Sequence, residues 1–302
     1  MKKLMRSVVQ LSLIAAFTLS FSALADDKNP ARKLEDAAME LMGKVRELVN
    51  DDRGKAFAEY AKGARALVKE FPGDARPFQM MFQAGGMVED KKEGDQLKQE
   101  ATAGILSILK KDPKNINGLA ALMGLAGSAE PKEAKVYLKR IAENAEESLA
   151  TAAKGRLWRM SDPVGKPIDI KFTAIDGRKV DLAKLKGKVV LIDFWATWCG
   201  PCVAEIPSVV RAYKKMHPRG FEIIGISLER DKDPKKLLDY VNNKDMPWAQ
   251  YHDGQFWSNK IARGFGISGI PAMWLIDKQG NLVDMDARRG LETKVEKLLG
   301  VE

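Results

Sequence analysis

Hydrophobic and polar positions divide the chain into two parts with different patterns. Between residues 30 and about 160, Ala, Leu, Lys and Glu dominate, and Gly or Pro interrupts the helical spacing. This part is expected to contain only helices, over 30–50, 53–70, 75–88, 92–111, 116–127, 131–143 and 146–159. The part after residue 160 differs, because it contains apolar, β-branched runs that are typical of strands.

Two junctions in the helical part are alike. The segments "ALVKEFPGDARP" and "SILKKDPKNING" carry Pro72 and Pro113, which lie 41 residues apart. Such joints resemble those between tetratricopeptide-type helical pairs. Two interpretations stay open: an array of helical hairpins that docks a protein partner, or a helical domain that only packs on the domain after it. With "RMSDPVGKP" as the linker, we predict domains over 26–160 and 161–302.

The second domain contains a strand and a helix that flank both cysteines of the chain. The apolar run "KVVLIDFWA", residues 188–196, predicts a buried central strand. Residues 201–217 carry apolar side chains at helical spacing, which predicts a helix packed on a sheet. Cys199 and Cys202 lie between the strand and the body of this helix, in a C-x-x-C motif.

This position gives the two cysteines different expected chemistry. Cys199 lies at or just before the helix N-terminus, where free N–H groups and the helix dipole favour a thiolate. Pro201 suits the first turn of the helix, because its missing N–H is not needed there. Cys202 is expected to point inward and to lie close enough to attack a mixed disulfide. An exposed, acidified Cys199 and a sheltered Cys202 would suit thiol–disulfide exchange.

The N-terminal residues have the order of a secretory signal peptide. Basic "MKKLMR" precedes the apolar "VVQLSLIAAFTLSFSA", and "ALA" ends at residue 25. We therefore predict a signal peptide over 1–25 and export of the mature protein, most simply to a bacterial periplasm. An uncleaved membrane anchor is the alternative, although the apolar stretch is shorter than the roughly 20 residues that span a bilayer.

Charge and ligand count argue against nucleic-acid and metal binding. The formal net charge is +9, but lysines alternate with acids, as in "KKEGDQLKQE". This arrangement is typical of a solvated helix surface rather than a basic nucleic-acid face. A structural zinc site needs about four ligands, and neither His217 nor His252 lies at ligand spacing from the cysteines. We predict no metal, no cofactor and no nucleic-acid partner.

Two segments resemble thioredoxin. "DFWATWCGPC", residues 193–202, looks like its active-site strand and turn, and "FGISGIPAMWLIDKQGNLV", residues 265–283, is similar to its second landmark. The resemblance implies that Pro271 is a cis proline facing the cysteines and that the Ile270 backbone pairs with a substrate peptide. It also places Trp198, Gly200 and Pro201 on the substrate-binding surface.

Further features resemble the TlpA/ResA-type exported thiol–disulfide oxidoreductases, a group also described as redoxin or AhpC/TSA-like. They are the hairpin segment "PIDIKFTAIDGRKVDLAKLKGK", Glu205 three residues after Cys202, and an insertion over about 231–262. The resemblance covers about 162–302. It implies an α/β thioredoxin fold, with a central mixed sheet flanked by helices, after an all-α, tetratricopeptide-like domain.

Two carboxylates are candidates for proton transfer. Asp193 matches the buried aspartate that thioredoxins use as proton acceptor for the inner cysteine, and Glu205 matches the glutamate used by TlpA/ResA-type proteins. Glu205 has a second explanation, as a first-turn acid that complements the helix dipole. The lysine that accompanies the thioredoxin aspartate is replaced by Gly225 in our alignment. The sequence therefore does not assign the path by which the proton leaves Cys202.

The resemblance implies a reductase of protein disulfides. The Cys199 thiolate would attack a substrate disulfide and Cys202 would resolve the mixed disulfide. The expected partners are a disulfide-containing protein, a membrane-bound thiol electron donor and a possible protein partner of the helical domain. A protein that oxidises thiols or isomerises disulfides would differ from this reductase only in the reduction potential of its cysteine pair.

Two other functions stay open. One is a thiol peroxidase-like antioxidant enzyme, although Trp-Cys-Gly-Pro-Cys stands where a peroxiredoxin has Pro-x-x-x-Thr-x-x-Cys. The other is a helical partner-binding protein with a redox-switched dithiol.

Overall fold

The computed structural model describes residues 29–300. Tertiary contacts divide the chain into two compact units, and the boundary along the chain lies between Ala121 and Leu122. The predicted signal peptide over 1–25 lies outside the described residues. Within 29–300, no helix combines the length and the apolar character that a membrane crossing requires.

Among the described residues, seven consecutive helices precede the first strand, as the helical pattern predicted. They are α1 (Pro30–Val49), α2 (Arg53–Glu70), α3 (Ala75–Ala84), α4 (Lys91–Lys111), α5 (Ile116–Ser128), α6 (Pro131–Asn144) and α7 (Glu147–Arg159). The third ends four residues earlier than predicted, because Gly85 forms its C-cap. The likeness to tetratricopeptide pairs stays a prediction.

The first four helices begin at side-chain caps. Asn29, Asp52, Asp74 and Asp90 each accept a hydrogen bond from a backbone N–H of the first turn that follows. Each of these helices then buries an apolar stripe against its neighbour in sequence. The local signals for helix starts and the apolar spacing therefore agree, which is why the sequence pattern located these helices well.

The second unit contains a five-stranded mixed sheet and a separate two-stranded hairpin. The hairpin pairs β1 (Lys171–Thr173) with β2 (Lys179–Asp181). The sheet contains β3 (Val189–Trp195), β4 (Phe221–Ser227), β5 (Ala249–His252), β6 (Ala272–Ile276) and β7 (Leu282–Asp284), in the order β5-β4-β3-β6-β7. β3, β4 and β5 are parallel, whereas β6 and β7 are antiparallel to their neighbours.

Helices flank this sheet and complete the fold. They are α8 (Gly200–Met216), α9 (Pro234–Asn243), α10 (Lys260–Gly264) and α11 (Leu291–Leu299), besides the preceding helix α7. The central strand β3 is buried at all seven positions, as its apolar run predicted. The strand order, with a helix following the central strand, defines a thioredoxin-like fold, so the predicted fold class is confirmed.

The structure adds detail on two segments, the predicted insertion and the last two of the seven helices. The predicted insertion over 231–262 contains α9 and the edge strand β5, which extends the sheet beyond β4. Helices α6 and α7 belong to the compact unit that contains the sheet. The predicted domains, 26–160 and 161–302, stay a prediction, and the division by contacts lies farther toward the N-terminus.

Candidate active site

The cysteine pair lies at the start of α8. Cys199 is the N-cap residue, Cys202 lies in the first turn, and the two form a disulfide with a Cα–Cα distance of 5.2 Å. The backbone N–H of Cys202 donates a hydrogen bond to Cys199 Sγ at 3.3 Å. After reduction, the same N–H and the helix dipole would stabilise a thiolate on Cys199.

Both cysteines are buried in this disulfide form. Cys199 is 6% exposed and Cys202 is 4% exposed, so the expectation of an exposed Cys199 is wrong for the oxidised protein. In this form Cys199 Sγ is bonded to Cys202 and faces the first turn of α8, where it accepts the hydrogen bond from the Cys202 N–H. Gly200 and Pro201 are exposed at this turn instead.

The Pro271 segment lies at the same edge of the sheet. The Ile270–Pro271 peptide bond is cis, as the resemblance implied. β6 begins at the next residue, and Ala272 pairs with Phe194 near the carboxyl end of β3. Because β3 and β6 are antiparallel, the turn that carries the cysteines and the turn that carries Pro271 leave the sheet at one end.

Asp193 is a buried carboxyl group beneath this end of the sheet. It lies on β3 between Gly225 of β4 and Met273 of β6, and its Oδ1 has no hydrogen-bond partner among the described residues. Burial and, to a lesser extent, the charge of Glu205 raise the pKa of Asp193 to about 7, and Arg288 opposes both. A carboxyl group that titrates near neutral pH can both accept and release a proton there.

Glu205 is held by an arginine that sequence reasoning missed. Arg288 Nε donates to Glu205 Oε1 at 2.7 Å, and Arg288 Nη2 donates to the same oxygen. The first turn of α8 contains no acid, because Glu205 lies farther along the helix; the first-turn explanation for Glu205 is therefore wrong. Its other oxygen, Oε2, is buried and lacks a hydrogen-bond partner within residues 29–300.

Gln250 explains why glycine stands at position 225. Gly225 pairs with Gln250 of β5, and a Cβ at position 225 would lie only 1.9 Å from Gln250 Oε1. That oxygen accepts a hydrogen bond from Trp195 Nε1 at 3.0 Å. The space that a lysine would need is therefore occupied. The arginine that acts on Asp193 comes from the turn between β7 and α11 instead.

No sequence signal identified these two partners. Arg288 lies 83 residues from Glu205, and Gln250 lies 55 residues from Trp195. The doubled arginine in "DARRG" is the only local feature near Arg288, and it does not point to the cysteines. Only the folded chain brings these groups together.

Aromatic side chains lie beside the cysteine turn. Trp198 is 42% exposed, and its Nε1 donates to the carbonyl of Leu228 at 2.9 Å. Its ring contacts Phe256 and Trp257 at centroid distances of 5.0 and 5.9 Å. The predicted surface residue Trp198 therefore forms an exposed aromatic cluster with residues of the 231–262 segment.

The loop before Cys199 is also fixed by a carboxylate. The backbone N–H of Thr197 donates to Glu229 Oε1 at 2.5 Å.

Within the described part of the chain, no group of three or more His, Cys, Asp or Glu side chains could hold a metal ion.

Comparison with known proteins finds relatives of the part of the chain that carries the cysteines. Residues 164–285 match the model of the AhpC/TSA family. Thiol-disulfide oxidoreductase ResA of Bacillus thuringiensis (strain Al Hakam) is 36% identical over 113 residues, which are 37% of this chain and 62% of that protein. Probable nucleoredoxin 1 of Arabidopsis thaliana is 36% identical over 115 residues, which are 37% of this chain and 19% of that protein.

A solved structure is also similar. The thioredoxin domain of a thiol-disulfide oxidoreductase from Bacteroides vulgatus is 28% identical, with 45% of this chain and 97% of that chain covered and a TM-score of 0.40.

The matched segment is similar to the AhpC/TSA family and to ResA proteins, as the resemblance predicted. The chain spans less than two thirds of the length of the ResA proteins that it matches. Helices α1 to α7 lie before the matched family segment.

Replacing Asp193 with Asn should stabilise the oxidised protein in a pH-dependent way. The pKa of Asp193 is raised to about 7 in the fold, against about 3.9 in an unfolded chain. Its ionisation therefore costs nothing below pH ~4, destabilises the fold increasingly between pH ~4 and ~7, and has its full effect above that range. Urea unfolding should give Asp193→Asn a free energy of unfolding about 1–4 kcal/mol higher at pH 8 and an unchanged one at pH ~4.

The matched control is Asp239→Asn, since Asp239 is exposed. It should change the free energy of unfolding little at either pH. An equal effect of Asp193→Asn at both pH values would show that the buried carboxyl group does not titrate in this range.

Removing the Arg288 charge should raise the pKa of Asp193. Arg288 lowers that pKa and also pairs with Glu205, whose charge acts in the opposite direction. Arg288→Met should therefore move the titration of the Asp193 carboxyl carbon, followed by NMR, to higher pH. Arg289→Met, at the adjacent exposed residue, is the control and should leave the titration in place. An unchanged or lower pKa in Arg288→Met would refute the coupling.

Proposed function

We propose that this protein is an exported thiol–disulfide oxidoreductase that reduces disulfides in other proteins. The observation that carries the proposal is the cysteine pair at the N-terminus of α8, which follows the strand that carries a buried carboxyl group with a pKa raised to about 7. Homology of the same segment to proteins named thiol-disulfide oxidoreductase ResA supports it.

The proposed reaction begins with the reduced dithiol. The Cys199 thiolate attacks one sulfur of a substrate disulfide, forms a mixed disulfide and releases the other substrate sulfur as a thiolate. Cys202 then loses its proton, attacks Cys199 Sγ and releases the second substrate thiolate. Both substrate thiolates take up protons, two electrons pass to the substrate, and the Cys199–Cys202 disulfide remains.

Asp193 is the proposed acceptor of the Cys202 proton. A carboxylate with a pKa near 7 matches the pH at which the protein would work, so it can take the proton and release it after turnover. Glu205 is proposed to assist, because its charge raises the proton affinity of Asp193. Arg288 holds Glu205 by one oxygen and leaves the other free in the protein interior.

The proposed substrate surface lies around the exposed part of the cysteine turn. It includes Trp198, Gly200 and Pro201, together with Ile270 and Pro271 on the neighbouring turn. An extended peptide would pair with the backbone at Ile270, as a strand adds to a sheet edge. Such pairing would favour protein substrates over small disulfides.

Export, direction and partners complete the proposal. The residues over 1–25 have the order of a signal peptide, which supports export to a periplasm. The Gly-Pro pair between the cysteines resembles that of reducing thioredoxins, so a membrane-bound thiol donor would recharge the dithiol. The helices before the matched segment would offer a surface for a protein partner.

A thiol peroxidase-like activity is a second candidate, because the matched family includes AhpC and TSA in its name. The reaction would consume a hydroperoxide instead of a disulfide. The presence of Trp-Cys-Gly-Pro-Cys in place of the peroxiredoxin sequence favours disulfide exchange.

Single cysteine variants test the proposal. Reduced Cys202→Ser should accumulate a mixed disulfide with a disulfide-containing protein such as insulin, because nothing resolves it. Cys199→Ser should form little adduct, because the remaining thiol lies in the turn, away from the N-cap. Non-reducing electrophoresis and mass spectrometry would detect the adduct.

Two outcomes would contradict the proposal. One is the absence of an adduct in both variants, and the other is wild-type protein that reduces hydrogen peroxide much faster than insulin.

A further inference from the structure

Helix α7 approaches the turn before β6 closely enough to exclude a side chain. At Gly155 of α7, a Cβ would lie 2.1 Å from the carbonyl oxygen of Arg263 and 2.6 Å from the nitrogen of Gly266. Gly266 has a φ of +64°, and a Cβ there would lie 2.8 Å from the Gly155 carbonyl oxygen. Two glycines therefore meet where the backbones leave room only for hydrogen atoms.

Side chains secure the same contact on both sides. Trp158, nearly one turn farther along α7, stacks on Trp274 of β6 at 5.5 Å and meets Phe265 edge-on at 4.9 Å. Near the start of α7, Ser148 accepts a hydrogen bond from Arg263. Contacts thus run along most of α7, with the glycine pair between the hydrogen bond at one end and the aromatic contacts at the other.

These contacts bracket the segment that carries the cis peptide bond. Phe265 and Gly266 come just before it, and Trp274 comes just after it. Between them, Ser268 and Gly269 are exposed, and the cis Ile270–Pro271 bond leads into β6. A helix that holds both flanks of this short segment limits where its exposed backbone can lie.

We propose that Gly155 and Trp158 are positioning residues for protein substrates, acting through the segment 267–271. This inference rests on the proposed oxidoreductase function and extends it to a helix outside the matched family segment 164–285. A substrate peptide that pairs with the backbone at Ile270 depends on where α7 holds that segment. A small disulfide needs only the cysteines, so its reduction is independent of α7.

The test compares two substrates in the full chain. Gly155→Ala forces α7 and the 263–266 backbone apart, whereas Gly264→Ala is a matched control in the same contact region, since a Cβ at 264 meets nothing within 4 Å. Each variant is assayed with insulin and with a small aromatic disulfide. The reduction potential and the thermal midpoint are measured beside these assays.

We expect Gly155→Ala to lose about tenfold or more in kcat/KM for insulin, mainly through KM, because a displacement of about 1 Å can cost about 100-fold. The rate with the small disulfide, the reduction potential and all properties of Gly264→Ala should stay near those of the wild type. Trp158→Phe should retain more insulin activity than Trp158→Ala, because it keeps a ring against Trp274.

Three results would overturn the proposal. They are an unchanged KM for insulin in Gly155→Ala and Trp158→Ala, a parallel loss with both substrates, and a shifted reduction potential. If Gly155→Ala fails to fold, the Trp158 pair decides, and a loss of folding in that pair too would assign α7 to stability alone. A wild-type protein that reduces neither substrate would instead refute the proposed function.

Discussion

The junction between strand β3 and helix α8 is the constraint on which the candidate site depends. The strand is buried along its whole length, so its carboxyl end is fixed in the sheet, and the helix must begin only a few residues later. Cys199 therefore caps the helix, and the N–H of Cys202 points back at its sulfur. The same junction places the Asp193 carboxyl group in the interior beneath the cysteine turn, where its charge is costly.

One positive charge, that of Arg288, offsets part of that cost, and it comes from a part of the chain that the sequence did not indicate. Gln250 fills the space beside Gly225 and bonds Trp195, so a cation cannot enter from β4. Arg288 acts from the turn after β7, where it also holds Glu205. Two carboxyl groups and one arginine together set the proton affinity of the site.

Local patterns predicted much of the fold, and long-range pairing limited the rest. Seven helices, the central strand and the helix after it followed from apolar spacing, caps and the position of Pro201. Arg288 and Gln250 could not be predicted, because their partners are more than 50 residues away along the chain. The packing of α7 on the sheet was missed because apolar spacing shows which face is buried and not what covers it.

The measurement that tests the central claim most directly is the equilibrium reduction potential of the Cys199–Cys202 couple, determined against glutathione or dithiothreitol buffers. We predict a value of about −270 mV, as in thioredoxin, which would make the dithiol a reductant of other proteins. A value of about −120 mV would contradict this prediction. A couple with so high a potential is a strong oxidant, which donates disulfides to other proteins instead of reducing them.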